Sequence, residues 1–237
     1  MDGHAKRTPD AAAPAQARRD AAQVRLDIIS DPICPWCYIG RTLLGQALAA
    51  RPGHPFEIVW HPFQLNPDMP PGGKDRRTYL EAKFGGHEAA VRAYAPVLER
   101  AEAAGLSIDF AAIDRTPNTL DAHRVIEWAA AEGVQDAVAM ALFRAYFDEA
   151  RDIGDPEVLA ETAAGAGMDG AMVRRLLAGT ADRAEVAAQD RRFREMGISG
   201  VPTFIVAGRH VVPGCQPPEL WLQVIDDIVG GAAHSPG

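Results

Sequence analysis

Two cysteines separated by two residues, in the run Cys34-Pro35-Trp36-Cys37, are the side chains of this chain best suited to chemistry. Thiols at that spacing can close a small disulfide ring, and opening the ring leaves a thiolate. A helix N-terminus stabilises that thiolate, because its free backbone N–H groups and its dipole both favour negative charge. The chemistry implied is dithiol–disulfide exchange. Cys34 precedes the predicted helix, so its sulfur is expected to face solvent and the N–H groups of the first turn, which makes it the candidate nucleophile. Cys37 lies one turn further in and is expected to be more buried, poised to resolve a mixed disulfide. Lowering Cys34 below the free value of about 8.5 raises the reactive fraction at neutral pH, each unit amounting to about 1.4 kcal/mol. Trp36 brings no charge to that task, so a less oxidising pair is expected than one with histidine there.

The other use of such a pair is half of a zinc site. Zinc takes four ligands, or three and a water. Cys215 and a histidine such as His61 could complete a set, but no second ligand pair stands at finger-like spacing. Pro35 and a following helix also suit redox chemistry better, so no metal is assigned.

These residues need a scaffold, and the hydrophobic pattern supplies one. Val24, Leu26 and Ile28 alternate with polar neighbours, which predicts a strand ending at Ser30. Pro35 suits the first helical turn, where its missing N–H costs nothing. The helix it opens runs through Leu43, Leu44, Ala47 and Leu48 and stops near Arg51-Pro52-Gly53. A second strand follows over 56–61, completing a βαβ unit with parallel strands. From about 66 to 196 strand signals disappear and seven helical stretches are predicted, over 76–84, 87–104, 119–131, 134–150, 156–164, 171–177 and 181–196. Their breaks fall at Gly85-Gly86, Gly105, Gly133, Gly154-Asp155-Pro156 and Gly179-Thr180. Strand character returns over 203–206 and 210–212, joined by Ala207-Gly208-Arg209, a hairpin signal. Pro217-Pro218 opens a last amphipathic helix carrying Leu220, Trp221, Val224, Ile225, Ile228 and Val229.

That order is α/β: a thioredoxin fold with a large all-helical domain inserted between the second and third strands. The expected division is a disordered leader over 1–22, a thioredoxin-like domain in two segments, 23–65 and 182–230, a helical insertion domain over 66–181, and a flexible tail over 231–237.

A second informative element is Gly200-Val201-Pro202-Thr203-Phe204, a proline at the very start of a strand. A cis bond would make sense of it. In a thioredoxin-like sheet this strand runs antiparallel to the first, which brings Pro202 and Cys34 to one edge. The free backbone of Val201 is then the candidate substrate-binding edge, pairing with an extended chain by strand addition.

Five motifs in order carry a resemblance to a known family. They are 30–40 (Ser-Asp-Pro-Ile-Cys-Pro-Trp-Cys-Tyr-Ile-Gly), 62–70 (Pro-Phe-Gln-Leu-Asn-Pro-Asp-Met-Pro), 118–124 (Asn-Thr-Leu-Asp-Ala-His-Arg), Gly200-Val201-Pro202, and Gln216-Pro217-Pro218-Glu219. Together they resemble the DsbA-like thioredoxin-fold disulfide oxidoreductase family, and within it the FrnE-like branch, over nearly all of 24–229. The resemblance implies a helical domain inserted in a thioredoxin fold, a redox pair at Cys34 and Cys37, a cis-proline at Pro202, and thiol–disulfide exchange or isomerisation. No cofactor is required, and glutathione is a candidate redox partner. A homodimer is the assembly that analogy with relatives suggests.

One departure from the pattern is Cys215, where a small residue such as Ala is expected before Gln216. If Gly208 and Arg209 form a two-residue turn, Cys215 lies across the hairpin from about Pro202, a candidate third thiol at the active edge. It could accept the disulfide from Cys37, ligate metal, or be an inert buried small residue, and the inert reading is preferred. His123 and Arg124 fall near the start of a predicted helix after the capping pair Asn118-Thr119 and could line a cleft, although a packed histidine is commoner. Trp60, Phe63 and Trp221 read as core or cleft-lining residues.

Composition narrows the partners. A net charge of −8 without a basic run argues against nucleic acid or an anionic membrane. An apolar fraction of 47% supports a full core without disulfide staples, and three cysteines do not make a secreted framework. No stretch reads as a secretory signal or a membrane span, so the cytoplasm is the expected compartment. The expected partner is a thiol- or disulfide-containing protein or small molecule. Two other readings are a glutathione-dependent isomerase or transferase, like the kappa-class and hydroxychromene-carboxylate relatives on the same fold, and a metal-holding or chaperone-like module.

Overall fold

The computed structural model describes residues 23–232. The leader expected over 1–22 and the end of the tail lie outside the described residues. Strand β1 (Val24–Ser30) is the central strand, parallel to β2 (Phe56–Pro62) from Val24↔Phe56 to Ser30↔Pro62. On its other side it is antiparallel to β5 (Thr203–Val206), from Leu26↔Val206 to Ile29↔Thr203. β6 (His210–Pro213) closes the sheet in the order β2-β1-β5-β6. β1 is packed on both faces, Leu26 and Ile28 in one apolar cluster and Ile29 in another, so it is buried continuously from Leu26 to Ser30 and the alternation of its sequence does not translate into an exposed face.

Helix α1 (Pro35–Ala50) follows β1 directly. Between β2 and β5 come α2 (Arg76–Phe84), α3 (His87–Ala103), α4 (Leu120–Ala131), α5 (Gln135–Phe147), α6 (Pro156–Gly165), α7 (Gly170–Leu177) and α8 (Arg183–Glu195). The last helix, α9 (Pro218–Ala232), continues past Gly230, so the tail expected from 231 begins inside it. The stretch between β2 and β5 is not purely helical. Two-residue strands β3 (Lys74–Asp75) and β4 (Arg115–Thr116) pair antiparallel on either side of α2 and α3. A ladder that short is too brief to show alternation.

The helices and the sheet share a main apolar core, in which Tyr38 and Trp60 pack with Phe143 and Phe147, and Ile29, Phe63 and Ile205 form a second, smaller cluster. Tyr38 on α1 stacks against both phenylalanines of α5, at centroid distances of 5.3 and 5.7 Å, and its hydroxyl donates to Asp148 Oδ2 at 2.8 Å. Arg41 donates twice to Asp136, which also accepts from Trp60 Nε1 at 3.0 Å. Gln135 treats the edge strand β2 as a neighbouring strand would. Its Oε1 accepts from Trp60 N at 2.9 Å and its Nε2 donates to Trp60 O at 3.2 Å, so the buried backbone of that edge is paired. These ties hold α1, and with it the two cysteines, against the helices.

Candidate active site

Cys34 is the N-cap of α1, with extended backbone at φ −88° and ψ 113°, and Pro35 opens the helix behind it. The Cys34 carbonyl accepts from the N–H groups of Cys37, at 3.0 Å, and Tyr38, at 3.3 Å, while its own N–H donates to Asp31 O at 2.9 Å. Both thiols are free rather than bridged. Cys34 departs from the sequence expectation of a solvent-facing sulfur: it is 3% exposed, close to the 1% of Cys37. The cause lies on the opposite strand. The segment leading into β5 lies beside the helix start, and Cys34 Sγ donates to Val201 O at 3.7 Å. The Cys37 thiol is pushed well above its usual pKa, first by burial and then by its hydrogen bond to Cys34 and the Cys34 charge, so its protonated form is favoured.

The Val201–Pro202 peptide is cis. Past it the hairpin runs in the register Thr203↔Pro213 to Val206↔His210, leaving a three-residue loop, Ala207-Gly208-Arg209, in place of the two-residue turn considered above. Ala207 and Gly208 both adopt positive φ, 54° and 67°. Pairing therefore shifts by one residue, and Gly214, not Cys215, stands opposite Pro202, its N–H donating to Pro202 O at 2.8 Å. Cys215 still reaches the edge that carries Cys34. Its Sγ donates to the carbonyl of Trp36 at 2.8 Å, inside the C-P-W-C turn. Burial, and then the Cys34 charge, push its pKa to about 12, against an opposing pull from Arg100.

Gly40 makes this close approach feasible, since a Cβ there would lie 3.1 Å from Pro202 Cγ and 3.4 Å from Cys215 Sγ. On one side of the edge an open cleft is lined by Trp36, Cys215 and the α3 residues Pro96, Glu99, Arg100 and Ala103. On the other, a groove runs along Val201 and Pro202 past Met196, Ile198 and Val211. The backbone that would pair with an extended chain is thus flanked by two concave surfaces.

Behind the thiols lies a cluster of ionisable groups that sequence reasoning left out of the site. Asp31 is fully buried, and its Oδ2 accepts from Leu65 N at 2.7 Å. Burial raises its pKa to about 7, against the opposing effect of bonds from Leu65, Ile33 and Thr119. His123 Nε2 lies 3.8 Å from Asp31 Oδ1, and burial lowers that imidazole to about 4. Asp190, also buried, accepts from Gln64 N at 3.0 Å and pairs with Arg194. The signal available in the sequence was an acid closing a strongly apolar strand, which must be exposed, bonded or functional.

His123 is therefore packed rather than cleft-lining, and so is Arg124, whose guanidinium bonds to Asp121 and to the carbonyls of Leu176, Gly179 and Ala181. The cap of α4 also differs in detail: Thr119 occupies the N-cap position without a side-chain bond to the helix, and Asn118 Oδ1 accepts from Leu120 N. Trp60, Phe63 and Trp221 are all buried. Among the described residues no group of three or more His, Cys, Asp or Glu side chains is arranged to hold a metal ion. His61, weighed above as a zinc ligand, lies on β2 with Nε2 at 2.6 Å from Asp27 Oδ1. A cavity of about 670 Å³ between α2, α3 and the segment over 106–114 is lined by none of the three thiols and lies outside this site.

Comparison with known proteins bears on this geometry. The DSBA-like thioredoxin domain family matches residues 25–226. The uncharacterized protein YwbO of Bacillus subtilis strain 168 is 26% identical over 209 residues, covering 86% of this chain and 96% of that one. The crystal structure of SCO1869 from Streptomyces coelicolor, described as a probable DsbA oxidoreductase, superposes with a TM-score of 0.77 at 34% identity, covering 91% of this chain and 93% of that one. The cytosolic disulfide reductase DsbM from Pseudomonas aeruginosa, in a structure with GSH, shares the fold at a TM-score of 0.63 and 22% identity, covering 87% of this chain and 99% of that one. No helix among the described residues is long and apolar enough to cross a membrane.

Proposed function

The chain belongs to the family of DSBA-like thioredoxin domains, and from that premise we propose that it is a dithiol–disulfide oxidoreductase working through Cys34 and Cys37. The observation that carries the reading is the seat of Cys34: an N-cap sulfur facing the Val201 carbonyl, with a buried, protonated Cys37 one turn behind it. A substrate disulfide lies along the Val201–Pro202 edge, its backbone pairing with Val201, whose carbonyl is released by Cys34 when that sulfur reacts. The Cys34 thiolate attacks one substrate sulfur, the substrate S–S bond breaks, and the departing thiolate takes up a proton. Cys37 then gives up its proton and attacks Cys34 Sγ. The mixed disulfide breaks, the second substrate thiol is released, and a Cys34–Cys37 disulfide remains. Run in reverse, the same steps oxidise a dithiol substrate.

The partners proposed are a disulfide-containing protein or small molecule, with glutathione as the thiol that resets the pair, in the cytoplasm. Equilibration in glutathione buffers tests the reading. A reversible two-electron transition between about −270 and −120 mV is expected, the range of working exchange catalysts. No reversible transition would remove it. Cys37→Ala separates exchange from glutathione-dependent isomerase or transferase chemistry on the same fold. Exchange turnover collapses in that variant, whereas conjugation of glutathione to an electrophile would survive.

A further inference from the structure

Three thiols meet at one edge of the sheet, and the exchange cycle above uses two. Resting on that cycle, we propose that Cys215 is a second resolving thiol, attacking a mixed disulfide held on Cys34 and leaving a Cys34–Cys215 disulfide.

The hairpin register carries the placement. Thr203 pairs with Pro213 and Pro202 bonds to Gly214, which brings the next residue, Cys215, to the edge that carries Val201 and Pro202. Val201 is the residue whose carbonyl faces Cys34 Sγ at 3.7 Å. From the helix side, Cys215 Sγ sits 2.8 Å from the carbonyl of Trp36, within the loop that separates Cys34 from Cys37. Cys34 is thus flanked by Cys37 from within α1 and by Cys215 from the hairpin. The two flanking thiols differ in access. Cys37 is 1% exposed, whereas Cys215 is partly exposed and lines the cleft with Trp36 and Arg100.

Charge also ties Cys215 to Cys34. After burial, the Cys34 thiolate is the chief influence that keeps the Cys215 proton on, and Arg100 opposes it. Once Cys34 is bound in a mixed disulfide its charge is gone, so that restraint lifts at the step where a second nucleophile is needed. In that step the Cys215 thiol loses its proton and its sulfur attacks Cys34 Sγ. The bond from Cys34 to the substrate sulfur breaks, a Cys34–Cys215 bond forms, and the substrate leaves as a thiolate that takes up a proton. Cys34 and Cys215 are oxidised together by two electrons, and the substrate disulfide is reduced to two thiols.

Cys37→Ser isolates the step. Treated with oxidised glutathione, this variant should acquire glutathione on Cys34 and then shed it, leaving a Cys34–Cys215 disulfide identified by peptide mass mapping. Loss of the adduct should be at least ~10-fold faster than in Cys37→Ser/Cys215→Ala, the advantage of an attack within one molecule. Cys37→Ala serves if serine at that buried position does not fold. An adduct that persists equally with and without Cys215 would overturn the proposal while leaving Cys34 a working nucleophile. No adduct on Cys34 and no Cys34–Cys37 disulfide in any variant, the unmodified chain included, would overturn the exchange reading and this proposal with it.

Discussion

On one side of the turn from β1 to α1 sit Cys34, Cys37 and Cys215; on the other sit Asp31, His123 and Asp190. Both clusters are largely buried, and burial pushes Cys37, Cys215 and Asp31 towards their protonated forms. Their partners differ. The Cys34 and Cys215 sulfurs rest on backbone carbonyls of Val201 and Trp36 at 3.7 and 2.8 Å, weak contacts that a reacting sulfur can leave. The carboxylates of Asp31 and Asp190 instead accept from the backbone N–H groups of Leu65 and Gln64 at 2.7 and 3.0 Å, bonds that pin the segment after β2 to the end of β1 and to α8 respectively. The first cluster is free to change its bonds and the second is committed to holding position. Substitutions should therefore separate activity from stability across this one turn.

The largest expected effect is on the thiol side. Cys34→Ala should lower disulfide exchange by more than about 1,000-fold, as loss of a nucleophile does. Its midpoint in urea should move by a small amount, since the part-buried Val201 carbonyl loses only a weak S–H donor. On the acid side, Asp31→Ala should do the reverse. The part-buried N–H of Leu65 loses its acceptor, which should cost roughly 1–3 kcal/mol of stability, while exchange per folded molecule changes little. Urea titration together with an exchange assay on both variants checks the separation. An Asp31→Ala chain that stays stable and loses exchange would place Asp31 in the chemistry and erase the contrast.

The pH dependence sharpens the comparison. Asp31 has its pKa raised from 3.8 to about 7, so its contribution to stability is full below 3.8 and is lost as pH rises through 7. His123 has its pKa lowered from 6.5 to about 4, so its contribution is full above 6.5 and is lost as pH falls through 4. Between about 4 and 6.5 the two trends oppose one another and largely cancel. Asp31→Asn removes one of them, and stability should then rise with pH across that window relative to the unsubstituted chain. His123→Gln removes the other, and stability should fall. Each difference in slope has a ceiling of about 1.4 kcal/mol per pH unit. Urea midpoints across the window decide the matter, and slopes of the same sign in both variants would show that the groups do not titrate as a buried acid and a buried base.

What the sequence showed of this site, and what it hid, follows from sequence distance. Cys34, Pro35 and Cys37 were legible because strand, thiols and helix start lie within a few residues of one another, and Pro202 because a proline opening a strand is unusual wherever it occurs. The acid cluster was not, because Asp31 meets Leu65 across 34 residues and Gln64 meets Asp190 across 126. The two-residue β3–β4 ladder escaped for the same reason, being made only when the chain on either side of α2 and α3 returns to itself. The hairpin misled in a different way. Gly208-Arg209 suggested a two-residue turn, but Ala207, a residue with a Cβ, also takes up positive φ, and the register moved by one. Burial of the Cys34 sulfur could not be read locally either, since the carbonyl it faces lies 167 residues away.

The smallest predicted effect tests how closely the thiol side is fitted. Gly40 has no left-handed backbone to explain it; its role is space, since a methyl group there would sit 3.1 Å from Pro202 Cγ and 3.4 Å from Cys215 Sγ. Such contacts are tighter than ordinary packing, and Pro202 is a rigid ring that cannot rotate away. Gly40→Ala should therefore push the hairpin edge outward, at a cost of about 1 kcal/mol, partly offset by the better helix propensity of alanine. The displaced edge should slow exchange at Cys34 several-fold, because Val201 and Pro202 would be moved from the place the proposed substrate pairing requires. Replacing Cys215 by Ala in the same chain relieves one of the two contacts but not the one with Pro202. Partial recovery of stability with little recovery of exchange is the expected result for the double variant. Full recovery of both would mean that Cys215, and not the proline edge, sets the distance between hairpin and helix.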